Sequence, residues 1–176
     1  MQNEIAYLNS LGLYKIKPGL QRILKILETF GDPHKNYINI IIGGTNGKGS
    51  VAATIASVLE AQGFKVGLYT SPHLLRVSER IKINNLEISS QDLIRFISEI
   101  KRMSSKYLLE DLSYFEFLTT IAFLYFSENK VDYVVLEVGM GGRLDATNVI
   151  NPIVSVITNV FVDHTQFLGN EVSKIA

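Results

Sequence analysis

The sequence predicts a doubly wound α/β fold with a mostly parallel sheet, on three observations. Apolar, β-branched runs alternate along the chain with segments of helical periodicity. The runs at 131–138 and 153–158 are apolar almost throughout, as strands buried on both faces of a parallel sheet must be. Between an apolar run at 37–42 and a helix-like one at 51–62 lies Gly43-Gly44-Thr45-Asn46-Gly47-Lys48-Gly49-Ser50, a glycine-rich turn carrying one lysine.

Leu20, Ile23, Leu24, Leu27 and Phe30 are expected on one helical face, with Gly31 and Pro33 ending that helix. Tyr37 to Ile42 reads as a buried strand entering the glycine-rich turn, and Val51 to Gln62 as a helix closed by Gly63. Phe64 to Thr70 is a second strand. Asn84-Asn85 tolerates the left-handed backbone of a tight turn, so Ile81 to Ile88 reads as a hairpin. Ser89-Ser90-Gln91-Asp92 begins a capped helix reaching about Lys106, and Phe115 to Ser127 forms another. The strands 131–138 and 153–158 complete the sheet. No internal repeat or low-complexity tract interrupts it.

Composition excludes several classes. Lys plus Arg equals Asp plus Glu at 17 each, so no net charge draws the chain to nucleic acid or an anionic membrane. Cysteine is absent, which removes disulfides, thiolate metal sites and a cysteine nucleophile. No apolar run approaches the ~18 residues needed to span a bilayer, and no basic, apolar leader opens the sequence. A soluble, cytoplasmic protein is expected, with no membrane or nucleic-acid partner.

The glycine-rich turn points to phosphate binding. Glycines let backbone N–H groups approach phosphate oxygens, and the following helix turns its positive dipole end toward the anion. Lys48 adds a full charge, which makes ATP the expected ligand. The common G-x-x-x-x-G-K-[ST] pattern would need glycine at 42 and Ser or Thr at 49, where Ile42 and Gly49 stand. Glu137 ends a hydrophobic strand, where a carboxylate is costly unless paired or bound to a metal. Magnesium suits it, and an ion pair with Arg143 is the alternative. The glycine-rich run after Glu137 is expected to carry Arg143 and Asp145 onto the rim. Ser71, before Pro72, is either an oxygen ligand or an ordinary turn residue. His164 by chemistry alone reads as structural, imidazole being an uncommon magnesium ligand.

The segments G-T-N-G-K-G-S, T-S-P-H-L, S-E-R-I, F-E-F-L-T, E-V-G-M-G-G-R-L-D-A-T-N and T-N-V-F-V-D-H-T-Q-F-L-G together resemble the folylpolyglutamate synthase/dihydrofolate synthase family of the Mur ligase superfamily, from about Tyr14 onward. The resemblance implies an ATP-dependent ligase joining L-glutamate to folate or dihydropteroate through an acyl phosphate. Asn46, Gly47, Lys48, Gly49 and Ser50 would hold ATP, and Ser71, Glu137 and His164 would hold Mg²⁺. Lys48, Glu137 and His164 would be catalytic. Phe115, Glu116 and Phe117, with Leu144, Asp145 and Ala146, would line the pterin pocket, and the loop through Ser78, Glu79 and Arg80 would close over it.

The resemblance further implies that residues 1–176 are the N-terminal part of an ATP-binding domain, without the glutamate-binding C-terminal domain. Family members continue into an E-K-A-G-I stretch whose modified lysine holds a second Mg²⁺, and this sequence reaches Ala176 before it. The full-length enzyme is expected to be a monomer. This chain alone is expected not to catalyse ligation, and the strand 153–158 to lack full cover, which favours marginal stability. The alternative is a catalytically incomplete ATP-binding fragment.

Overall fold

The computed structural model describes residues 2–12, 17–109 and 111–175; Tyr14 and Ala176 lie outside the described residues. Six strands form one sheet in the order β4-β3-β2-β5-β1-β6. They are β1 (Ile38–Gly43), β2 (Val66–Tyr69), β3 (Ile81–Ile83), β4 (Leu86–Glu87), β5 (Tyr133–Glu137) and β6 (Val154–Ile157). Strands β2, β5, β1 and β6 run parallel, and the β3–β4 hairpin adds an antiparallel edge. Asn84 and Asn85 take the positive φ that the turn requires.

Helices cover both faces. The helix α3 (Lys48–Ala61) packs Ala52 and Ala56 against Ile40, Ile42, Val66, Leu68 and Val135. The small alanines allow that helix close approach to the sheet. Residues one step out of phase, among them Tyr69, Val134 and Leu136, face the other core. That core holds α1 (Gln2–Ser10), α2 (Gln21–Glu28), α4 (Ser90–Lys106) and α5 (Tyr114–Glu128). Short helices α6 (Thr165–Leu168) and α7 (Val172–Ile175) follow β6.

Helix α5 is apolar nearly all round because it lies between the sheet and other helices. Its Phe117, Phe123 and Phe126 are fully or almost fully buried, each worth roughly 1.5–3 kcal/mol of apolar transfer. Ser113 caps it: Oγ accepts from the Glu116 N–H, and the Glu116 carboxylate accepts from the Ser113 N–H at 2.7 Å. Helix α4 buries the stripe Leu93, Phe96, Ile97, Ile100 and Met103, and Ser89 accepts from the Asp92 N–H at its start.

One expectation about packing needs correction, and one element went unread. Leu24 is 41% exposed, and Ile26 takes the buried position in α2. The face turns because Ile23, Ile26 and Leu27 meet α5 and α4, leaving Leu24 at the margin. The amphipathic signal of α1 is weak, and its helix was not anticipated. Strand β6 has exposed apolar side chains, including Ile157 at 68%, in line with incomplete cover.

Candidate active site

Register brings the chemistry-bearing residues to one rim. Ile42 pairs with Glu137 across β1 and β5, and Leu136 pairs with Tyr69 across β5 and β2. The carboxyl ends of three parallel strands therefore meet, which is where open α/β sheets bind ligands. The glycine-rich loop leaves β1 there, and Ser71 leaves β2 beside Glu137.

The loop is clasped from β6. Thr45 N–H donates to the Asn159 carbonyl at 2.9 Å, and Asn46 N–H to Asn159 Oδ1 at 2.9 Å. Thr158 Oγ1 and Asn159 Nδ2 donate to the Asn46 carbonyl at 2.7 and 3.0 Å. A Cβ on Gly44, which has φ +128°, would overlap the Thr158 hydroxyl and the Asn159 carbonyl, so only glycine fits. The T-N pair after β6 was visible in the sequence, but its role as a clasp was not. Gly47 opens α3, and Lys48 Nζ donates to the carbonyls of Gly44 and Thr45 at 2.9 and 3.1 Å. Asn46, Gly47 and Ser50 lie at the surface around it.

Glu137 is buried beside this loop. Its Oε2 accepts from the Ser71 N–H at 2.9 Å, and the Gly49 N–H also donates to the carboxylate. Burial pushes its carboxyl above the ordinary value, against those two N–H groups and the charges of Lys48 and Arg80. Arg143 is exposed and forms no ion pair with Glu137 among the described residues, so that alternative is not the arrangement found. The oxygen-bearing side chains of Glu137 and Ser71, next to the glycine-rich loop, are of the type that a hard cation such as Mg²⁺ takes. His164 is not joined to either by a hydrogen bond; its side chain is half exposed and sits 3.9 Å from Asp163. Among the described residues no cluster of three His, Asp or Glu side chains forms a metal cage.

The expected pterin-pocket residues gather where α5 begins and β5 ends, but they serve different ends. Phe115 is half-buried against the Tyr69 ring, and Leu144 is exposed. Asp145 is buried, not presented on the rim. It accepts from Met140 N–H at 2.9 Å, and from Thr147 N–H and Oγ1 at 3.0 and 2.6 Å, so it shapes the loop. Burial raises its carboxyl above the ordinary value, with those hydrogen bonds pulling it back. Glu116 caps α5 and pairs with Arg22 Nε at 3.1 Å, while Phe117 and Ala146 pack in the core.

Two residues at the rim were undervalued in the sequence. Glu79 accepts from the N–H groups of Leu74, Leu75 and Arg76, which fixes the loop after Ser71 and holds its carboxyl below the ordinary value. Arg80, in the same S-E-R-I segment, is buried and donates through Nε to His73 Nδ1 at 2.8 Å. Burial and the Arg80 charge keep the His73 imidazole below its ordinary value.

Comparison with known proteins places this rim in context. The family model for the Mur ligase middle domain matches residues 42–175. The chain is 40% identical to the dihydrofolate synthase/folylpolyglutamate synthase of Bacillus subtilis over 93% of its length, spanning 39% of that relative. It is 40% identical to the folylpolyglutamate synthase of Lacticaseibacillus casei over 98% of its length, spanning 41% of it. An FPGS–AMPPCP–folate complex superposes with TM-score 0.92 at 40% identity, over 99% of this chain and 43% of that one. E. coli FolC with DHPP and ADP does so with TM-score 0.91 at 36% identity, over 99% and 41%. This chain thus spans about two fifths of the length of these relatives. It belongs to the Mur ligase middle-domain family, and its relatives there are folylpolyglutamate and dihydrofolate synthases.

Proposed function

We propose that this chain supplies the nucleotide and first metal site of an ATP-dependent ligase that joins L-glutamate to a folate or a dihydropteroate. The observation that carries the reading is the meeting of Lys48, Glu137 and Ser71 on one rim, with the glycine-rich loop clasped by Thr158 and Asn159. Relatives solved with AMPPCP, ADP, folate and DHPP support the ligand classes.

In this reading Asn46, Gly47, Lys48, Gly49 and Ser50 hold the triphosphate, with Lys48 offsetting charge on the transferred group. Glu137 and Ser71 would hold Mg²⁺, and His164 joins them by its place in the D-H-T motif. The ion, when bound, would screen the phosphate oxygens as the carboxylate attacks. The substrate carboxylate oxygen bonds to the γ-phosphorus and ADP leaves, giving an acyl phosphate. The glutamate amine then displaces inorganic phosphate to form the amide. Phe115 and Leu144 would meet the pterin, while Glu116, Phe117, Asp145 and Ala146 support that wall from behind.

The second reading is a chain that binds nucleotide without completing ligation. Titration with AMPPCP and Mg²⁺, with a parallel assay of glutamate-dependent phosphate release, separates the two. Lys48→Ala is expected to weaken nucleotide binding by about 10–100-fold, the worth of a hydrogen bond to a charged group. A wild-type chain that binds no nucleotide sinks both readings, and binding without turnover selects the second.

A further inference from the structure

Arg80 is 5% exposed, yet none of the ion pairs among the described residues includes it. The surrounding carboxylates are engaged elsewhere. Glu79 serves three backbone N–H groups, Glu87 takes Ser78 and Arg76, Glu137 takes Ser71 and Gly49, and Asp145 takes Met140 and Thr147. A buried guanidinium with no carboxylate in direct contact is costly.

The side chain is also fixed in direction. Nε is held by His73, the guanidinium carbon lies 5.7 Å from the centre of the Tyr114 ring, and the Arg80 carbonyl accepts from the Thr70 N–H at 3.0 Å. Its positive charge acts on Tyr69, Tyr114 and Glu137. Tyr114 is the first residue of α5, so the positive end of that helix adds to the field. Arg80 thus stands between the phosphate loop and the mouth of α5, with its Nη donors not taken by any protein carboxylate.

We propose that Arg80 binds the substrate carboxylate that is to be phosphorylated, its Nη donors orienting that group toward the phosphate held at Lys48. A planar fork of donors matches a carboxylate better than an ammonium does, and the buried setting strengthens the contact. The inference rests on the ligase reading, and names the residue that selects a carboxylate in that site.

The test compares pteroic acid with its uncharged primary amide, pteroamide, by calorimetry on the whole chain with AMPPCP and Mg²⁺ present. The wild type is expected to prefer the acid by about 10–100-fold. Arg80→Gln is expected to bring the two within about twofold, and Arg80→Lys to recover part of the preference. An Arg80→Gln variant that keeps the full preference, or a wild type that binds acid and amide equally, overturns the inference and leaves the ligase reading standing. A wild type that binds neither compound removes both. Should Arg80→Gln fail to fold, the ¹⁵N side-chain resonances of Arg80 in the wild type decide: they shift with pteroic acid and not with pteroamide, or the inference fails.

Discussion

The backbone N–H of Ser71 donates to Oε2 of Glu137 at 2.9 Å, across 66 residues of sequence. This bond ties the exit of β2 to the end of β5 and holds the carboxylate facing Gly49 and the start of α3. A Cβ at position 49 would lie 3.4 Å from the same oxygen, in ordinary contact with the carboxylate. Glu137→Gln keeps the shape but removes the charge. Its AMPPCP affinity is expected to become nearly insensitive to Mg²⁺, whereas the wild type should lose about tenfold or more when EDTA removes the ion, on the scale of a charge-assisted contact. Equal Mg²⁺ dependence in both would remove Glu137 from the metal site.

Arg22 and Glu116 join α2 to the buried start of α5, with the carboxylate only 3% exposed. Arg22→Ala leaves that carboxylate with the Ser113 N–H alone. Breaking a buried pair costs about 3–5 kcal/mol, and the partial exposure of Arg22 puts the expected loss near the lower end. Urea unfolding measures it. Nucleotide affinity should stay within about twofold, well under a single hydrogen bond, since neither residue bonds to the glycine-rich loop.

Gly139 allows Phe115 to approach the loop after β5. An added Cβ would lie 2.7 Å from Phe115 Cζ and 3.1 Å from Asp145 Oδ2. Gly139→Ala is expected to displace the ring and cost about 1–3 kcal/mol, as overpacking does. It should weaken folate binding more than AMPPCP binding, since the ring faces the proposed pterin wall. Equal effects on the two ligands in calorimetry would count against that wall.

His34 is fully buried against Phe123, and neither ring nitrogen has a hydrogen-bond partner. Burial lowers its pKa below the ordinary 6.5, with Lys35 adding to the shift and Asp32 opposing it. The native state therefore binds the proton less readily than the unfolded chain, and stability is lost as pH falls below about 6.5. His34→Leu should flatten the fall between about pH 6.5 and 5 and match or exceed wild-type stability at neutral pH. His73 also titrates low, but its share remains in both proteins, so the difference between their urea-melt pH profiles reports His34.

The fold was legible where local pattern and tertiary demand agree. The β-branched runs, the Asn84-Asn85 turn and the Ser89 cap each specify their element within a few residues, because short-range sterics and hydrogen bonds decide them. The glycine-rich loop with Lys48 was legible for the same reason. What lay beyond the sequence was which residues meet across the sheet. Leu24 and Ile26 exchange places because the packing of α2 on α5 sets the buried face, and periodicity alone leaves that face uncertain by one position. Asp145 and Glu116 looked like site carboxylates, yet burial and nearby N–H groups make them braces. Arg80 looked like a loop cation, and only the pairing of β2 with β3 drives it inside without a carboxylate partner. The sequence by itself determined most of the elements and the glycine-rich loop, because those depend on neighbours in the chain. Tertiary structure decided the roles of the charged residues, because a charge is defined by the groups that surround it, and these come from distant segments.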